Sequence, residues 1–334
     1  MAAADEAYRA QVRLLLDVLP IIAEEKDLAL KGAAAINLFV RNLPRLSVDI
    51  DLTYLPMDGR DAALANISAA LLRIKTGIDL AWPERRTTLV DQGDGLEVKL
   101  QVQRRRTQIK IEVNPSLRGH LYAVRQLTCC EEVETQFEAF VQVPVISHAE
   151  LYGGKLCAAL DRQHPRDLFD VYLLLSAEGI GDDVRLGLIA GLVSHNRPVA
   201  ELLSGQMKDR RNAFTAQFEG MTQSPFDYGM HKQTFERMHA RILSSMTAAD
   251  RTFLHTFEAG EPDWNLFPEP AIQHLPAVRW KLLNIRKFRQ ASPVRHAEGL
   301  KNLLRVLAWN GRGTAANECP VQRGVLTGKF QKCR

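Results

Sequence analysis

Long apolar runs are missing. None of the 334 residues falls in a stretch approaching the roughly 18 uninterrupted apolar residues of a membrane span. The start, MAAADEAYRA, has neither the basic opening nor the apolar stretch of a secretory signal. Both absences predict a cytoplasmic protein with no membrane contact. Cysteine is scarce, and Cys129, Cys130, Cys157, Cys319 and Cys333 fit no zinc spacing and no disulfide framework. Reduced thiols without a chemical role are expected. Repeats and biased segments are absent too. Acids nearly vanish at one end: residues 271–334 hold 13 Lys+Arg against Glu298 and Glu318, a net +11. The remaining residues hold 30 basic and 37 acidic side chains, a net −7. A basic end on an acidic body suits a polyanion surface; a set of solvated helical faces explains the charge equally well.

What is present is the composition of a folded protein, 46% hydrophobic and 25% charged, long enough for about two domains. Apolar positions at helical spacing predict a helix over about 5–25. DLALKG reads as a strand running into a glycine turn, with a helical AAAINLFV after it. SVDIDLTYL alternates strictly, which predicts a strand. A helix is expected at about 58–76, then strands at 87–90, 96–102 and 108–114, with Gly93-Asp94-Gly95 turning between the first two. From 147 the pattern becomes helical. Ser147 and Glu150 match a capping box, and His164-Pro165 separates that helix from RDLFDVYLLL. Further helices fit about 181–193, 229–245, 247–259, 271–289 and 293–308. The expected fold is α+β: a mixed or antiparallel sheet flanked by helices over 1–145, a helical domain over 146–309, and a mobile tail over 310–334.

Asp49-Ile50-Asp51 is the most informative triplet. Two aspartates two apart on a strand leave the same face, close enough to hold a hard divalent cation. Mg²⁺ keeps waters that phosphate oxygens replace, so the pair suits phosphoryl transfer. Upstream, Lys31-Gly32 ends a strand before a helix, where free backbone N–H groups can meet a phosphate. Downstream, Glu112 stands on a further strand. It is a candidate third metal ligand or base; the alternative is a solvated strand edge carrying a Lys110–Glu112 charge pair. On the helices, Lys155 lies among small and apolar neighbours, and Asp167 and Asp170 share one face beside Arg166. These charges either form a buried pair or reach a triphosphate.

Together these segments resemble the AbiEii/AbiGii toxin family of nucleotidyltransferases, within the polymerase-beta-like superfamily. The likeness rests on four pieces in order. They are LKGAAAINL at 30–38, PRLSVDIDL at 44–52, IKIE at 109–112, and Glu150 through Lys155 followed by RDLFD at 166–170. It covers about 27–175. The resemblance implies that residues 1–145 are the catalytic domain and that the helical domain adds Lys155, Asp167 and Asp170 to the site. It further implies that Asp49, Asp51 and Glu112 hold Mg²⁺ or Mn²⁺, and that Lys31, Gly32 and Ala33 shape the phosphate turn. Ser47 and Arg166 would lie beside the phosphates, and Lys155 would meet the donor nucleoside triphosphate. Ala33 stands where the family has glycine or serine; it keeps the N–H but brings no hydroxyl. Members of the family act as toxins neutralised by a cognate antitoxin, and some extend the 3′ ends of tRNA. A tRNA acceptor would suit the basic end, with Lys281, Arg286 and Lys287 as its contacts. Transfer to a protein or small molecule, or an inactive nucleotide-binding scaffold, are the competing readings.

Overall fold

A computed structural model describes residues 2–91, 97–222 and 224–308. The chain opens with α1 (Ala2–Ala23), β1 (Leu28–Lys31) and α2 (Gly32–Ala35), the last running into one π turn at Ile36–Val40. Then come β2 (Asp49–Tyr54), α3 (Arg60–Ala81), β3 (Arg86–Asp91), β4 (Glu97–Arg104) and β5 (Thr107–Val113). β6 (Arg125–Thr128), α4 (Glu131–Phe137) and β7 (Gln142–Val145) complete the sheet region. Helices follow: α5 (His148–Arg162), α6 (Pro165–Ala177), α7 (Asp182–Ser194), α8 (Val199–Leu202), α9 (Arg211–Gln217), α10 (Tyr228–Ser245), α11 (Ala248–Glu258), α12 (Pro276–Ala291) and α13 (Pro293–Leu307).

The seven strands form one mixed sheet in the order β3-β4-β5-β2-β1-β7-β6. β2 runs antiparallel to β1 and parallel to β5, and β1 runs parallel to β7. This is the mixed sheet with C-terminal helices expected from the pattern. The alternation of β2 buries Ile50 and Leu52 and leaves Asp49 and Asp51 half-buried on the other face. Ile111 and Leu100 continue the apolar row on β5 and β4, against which α1 and α3 pack. One connected apolar core extends from Val12 to Leu307; a smaller aromatic cluster gathers Phe169, Phe214, Phe218 and Phe226.

Several elements differ from the sequence reading. β6 and β7 are four residues each, too short to show alternation, and Pro144 sits inside β7. The helix expected from 271 starts at Pro276, after a 3₁₀ turn at Pro270–His274, because a proline best occupies the first helical turn. Ser147 caps α5 by accepting from Glu150 N, and the Glu150 carboxylate accepts from the Ser147 hydroxyl and from Leu121 N, each at 2.8 Å. The expected turn at 93–95 and the tail from 310 lie outside the described residues. α5 crosses α7 so closely that a side chain at Gly187 would overlap the Ala149 carbonyl. Cys129, Cys130 and Cys157 are free and buried, and burial pushes the Cys157 thiol up to about 12, so it is inert at neutral pH. Among the described residues no helix is long and apolar enough to cross a membrane.

Candidate active site

Strand pairing brings four charges into one row. Lys99 faces Glu112 across β4–β5, Glu112 faces Asp51 across β5–β2, and Asp51 faces Lys31 across β2–β1. One step along, Asp49 faces Lys110. Register-paired residues project from the same side of a sheet, so these side chains share one polar face. Glu112 is held by its neighbours, 3.3 Å from Lys99 and 3.1 Å from Lys110. The charge pair weighed for this strand is therefore present, on an interior strand rather than an edge. Among the described residues no group of three His, Cys, Asp or Glu is placed to hold a metal ion.

The end of β1 wraps around Asp51. Gly32 has φ +70°, and a Cβ there would stand 2.7 Å from Asp51 Oδ2. Only glycine allows both the left-handed turn and this approach. Burial pushes the Asp51 carboxyl above its ordinary value, Asp49 and Glu112 add to the rise, and Lys31 and Lys155 oppose it. The Lys31 ammonium is pushed down by burial despite Asp51 and Glu112. Such a carboxylate gains from a cation. The donors at Asp49 and Asp51 are oxygens, the class that Mg²⁺ and Mn²⁺ prefer, so the pair fits a divalent ion. Ala33 follows Gly32 in α2, and Ser47 is buried just before β2.

Behind Asp51 the helices place a second cluster. Lys155 Nζ of α5 lies 2.9 Å from both Asp167 Oδ1 and Asp170 Oδ2 of α6. Arg162 holds Asp167 at 2.8 Å. Arg45 closes on Asp170 in a two-pronged pair, at 2.8 Å and 2.7 Å. Three cations thus meet two carboxylates, and Lys155, Asp167, Asp170 and Arg45 are all buried. Burial opposes ionisation of Asp167, yet Lys155 and Arg162 hold its carboxyl at about 2. Asp170 is likewise lowered, against burial, by Arg45 and Lys155. Burial lowers Lys155, but the two aspartates more than offset it and raise its pKa. A pair this well satisfied is the buried network that the helical spacing left open. Asn37 ties it to the glycine turn, donating to Ala33 O at 2.9 Å and Asp170 Oδ1 at 3.2 Å.

Arg166, at the start of α6, reaches 3.9 Å from Asp49 Oδ2 and remains partly exposed. Lys31, Asp49, Asp51 and Glu112 thus share the polar sheet face, Gly32 and Ala33 form the turn at its edge with Ser47 just before β2, and Lys155, Asp167 and Asp170 form the cluster on the helices. Arg45 and Asn37 were not singled out. Two acids on one buried helix face call for more cation than Lys155 supplies, and that imbalance was the available signal for Arg45.

The RNA surface expected at Lys281, Arg286 and Lys287 needs one correction. Lys281 is buried, donating to Leu192 O at 3.0 Å and Arg197 O at 2.9 Å and pairing with Glu258 at 3.1 Å. It is a structural residue. Arg286 and Lys287 are exposed.

Comparison with known proteins agrees with this architecture. No curated protein matches the sequence. A solved structure, the nucleotidyltransferase toxin MenT4 from Mycobacterium tuberculosis H37Rv, shares the fold with a TM-score of 0.56 over 90% of this chain and 93% of that one, at 16% identity. The family described as nucleotidyl transferase AbiEii toxin, type IV toxin–antitoxin system, matches residues 13–284. With most of its length inside that match, the chain belongs to the AbiEii family of nucleotidyltransferase toxins.

Proposed function

We propose that this nucleotidyltransferase toxin moves a nucleotide from a nucleoside triphosphate to a hydroxyl at the 3′ end of tRNA, with Asp49 and Asp51 holding Mg²⁺ or Mn²⁺. The observation that carries the reading is the shared face of Asp49 and Asp51 against the Gly32 turn. A cation bound there would neutralise charge on the triphosphate. The acceptor oxygen forms a bond to the α-phosphorus, the bond to the β-phosphate oxygen breaks, and pyrophosphate leaves.

The protein's own groups divide the remaining work. The backbone of Gly32 and Ala33 receives phosphate oxygens, and Lys31 lies beside them. Arg166 leaves Asp49 to meet the phosphates, with Ser47 supporting the same turn. Glu112 releases Lys99 or Lys110 and serves as third ligand or as base for the acceptor proton. Lys155 stays with Asp167 and Asp170, and acts as a fixed positive charge that favours the Asp51 carboxylate. Its meeting the triphosphate directly requires one aspartate partner to be exchanged for phosphate.

The test is transfer of label from each of four α-labelled triphosphates to total RNA, with and without Mg²⁺. Label should reach tRNA with wild type and not with Asp49→Ala. Label on protein or a small molecule instead would replace the acceptor, and none anywhere would leave a nucleotide-binding scaffold. Growth arrest by the wild type, relieved by Asp49→Ala and by a cognate antitoxin, tests the toxin role in cells.

A further inference from the structure

A groove of about 1620 Å³ opens between the loops that follow β2 and β5 and the helices α12 and α13. It lies at the ends of those strands remote from Asp49, since Met57–Arg60 and Asn114–Arg118 succeed the two strands. Arg118 lines it and is 7% exposed, yet its Nε has no hydrogen-bond partner. Among the described residues it forms no ion pair; its Nη1 meets Arg60 O at 3.5 Å. The nearby Asp58 instead accepts the Tyr54 hydroxyl at 2.6 Å. Burial lowers the Arg118 pKa, and the charge of Arg60 lowers it further. Two guanidinium groups side by side, one buried with an empty donor, is an arrangement that an anion relieves.

The loop that presents Arg118 is fixed. Asn114 Oδ1 accepts from Ser116 N and Leu117 N at 2.9 Å and 2.8 Å, and Gly119 N donates to Tyr54 O at 2.8 Å. Another wall is helix α12, which contains no acidic residue and turns an exposed Trp280 into the groove beside Arg279 and Arg286. The acids of the lining are already engaged: Asp161 and Glu201 with Arg197, Glu258 with Lys281, Asp58 with Tyr54. Arg286 donates its Nε to Gly260 O at 2.9 Å and keeps its charge without a carboxylate partner among the described residues. An aromatic face beside such arginines is the chemistry of single-stranded nucleic acid, where bases stack and phosphates pair. An acidic peptide would use the arginines but gain less from the indole face.

We infer that this groove holds a single-stranded segment of the acceptor RNA, a phosphodiester seated on Arg60 and Arg118 and a base stacked on Trp280. The inference rests on the reading that the acceptor is RNA, and adds to it a docking site away from the carboxylates. Because the groove opens beyond the far ends of β2 and β5 and not at Asp49, it serves acceptor choice rather than the transfer step.

The experiment titrates a fluorescein-labelled single-stranded oligoribonucleotide, and its duplex, with the full chain and three variants. Arg60→Glu and Trp280→Ala change exposed side chains and leave the fold intact. Each should weaken binding of the single strand by about tenfold, in line with the loss of one stacked base or one phosphate contact. Arg118→Gln should reduce the salt dependence by about one phosphate contact; if it does not fold, the other two decide. Wild-type affinity in both Arg60→Glu and Trp280→Ala would overturn the assignment. So would an acidic peptide that competes equally well at the same residues, which would give the groove to a protein partner. The two readings separate cleanly. Label on RNA with unchanged KM in both variants removes the groove and keeps the function. Loss of oligonucleotide binding in the variants, with label reaching protein instead of RNA, does the reverse.

Discussion

Gly32 and Asp51 touch across β1 and β2: the space where a Gly32 side chain would be is occupied by Asp51 Oδ2, 2.7 Å from the would-be Cβ. The backbone at Gly32 is also left-handed, φ +70°. Gly32→Ala therefore meets two penalties, a strained backbone worth about 1–3 kcal/mol and a displaced carboxylate. It should lower the Tm and abolish transfer. Gly32→Ala combined with Asp51→Ala removes the second penalty and keeps the first. Thermal unfolding of the double variant should show less loss than the two single losses added. Simple additivity would mean that the contact carries no strain.

Asp51 sets a second expectation through its raised pKa. An acid whose folded pKa lies above its unfolded one binds protons more tightly when folded. Its contribution thus favours the fold at low pH and declines as pH rises through the raised value. Asp51→Asn removes that decline. In metal-free buffer at neutral pH the variant should melt higher than wild type, with the gap closing as pH falls into the ordinary carboxylate range. Mg²⁺ should raise the Tm of wild type and not of the variant. A variant that melts lower at neutral pH would show that Lys31 and Lys155 outweigh the burial.

The contrast between these residues and the cluster behind them explains what the sequence disclosed. Asp49 and Asp51 stand on a strand whose strict alternation assigns each side chain a face, so their common direction is written in the spacing. Glu112 shares their row because β5 pairs with β2 in parallel, and register between distant strands leaves no mark in either segment alone. Arg45 is harder still. It lies in the irregular stretch before β2, and its pairing with Asp170 spans 125 positions. The short β6 and β7 likewise depend on neighbours for their existence, while long amphipathic helices such as α10 and α11 declare themselves through caps and period.

Asp167 gives the opposite pH behaviour from Asp51. Lys155 and Arg162 overcome burial to hold its carboxyl at about 2, below the ordinary 3.8. A depressed acid contributes stability that is complete above the unfolded value and is lost as pH falls through the folded one. Wild type should lose about 2 kcal/mol from this group on acidification through that window. Asp167→Asn should start less stable at neutral pH and lose less on acidification. Unfolding by urea at graded pH measures both slopes. Parallel curves for the two proteins would place the source of acid sensitivity elsewhere.

Lys281 separates charge from surface in the basic end of the chain. Its ammonium closes two carbonyls near the end of α7 and pairs with Glu258, all within the helical core. Lys281→Met leaves the Glu258 carboxylate largely uncompensated, a loss of about 3–5 kcal/mol for a broken buried pair. The variant should therefore melt well below wild type. At a temperature where both are folded by circular dichroism, its affinity for a single-stranded oligoribonucleotide should be unchanged. Arg286→Glu with Lys287→Glu reverses two exposed charges and should show the inverse: a smaller change in Tm and weaker, less salt-sensitive binding. An ammonium that bound RNA directly would instead make the folded Lys281→Met protein lose affinity, and the net charge of +11 in residues 271–334 would then count in full toward the nucleic acid.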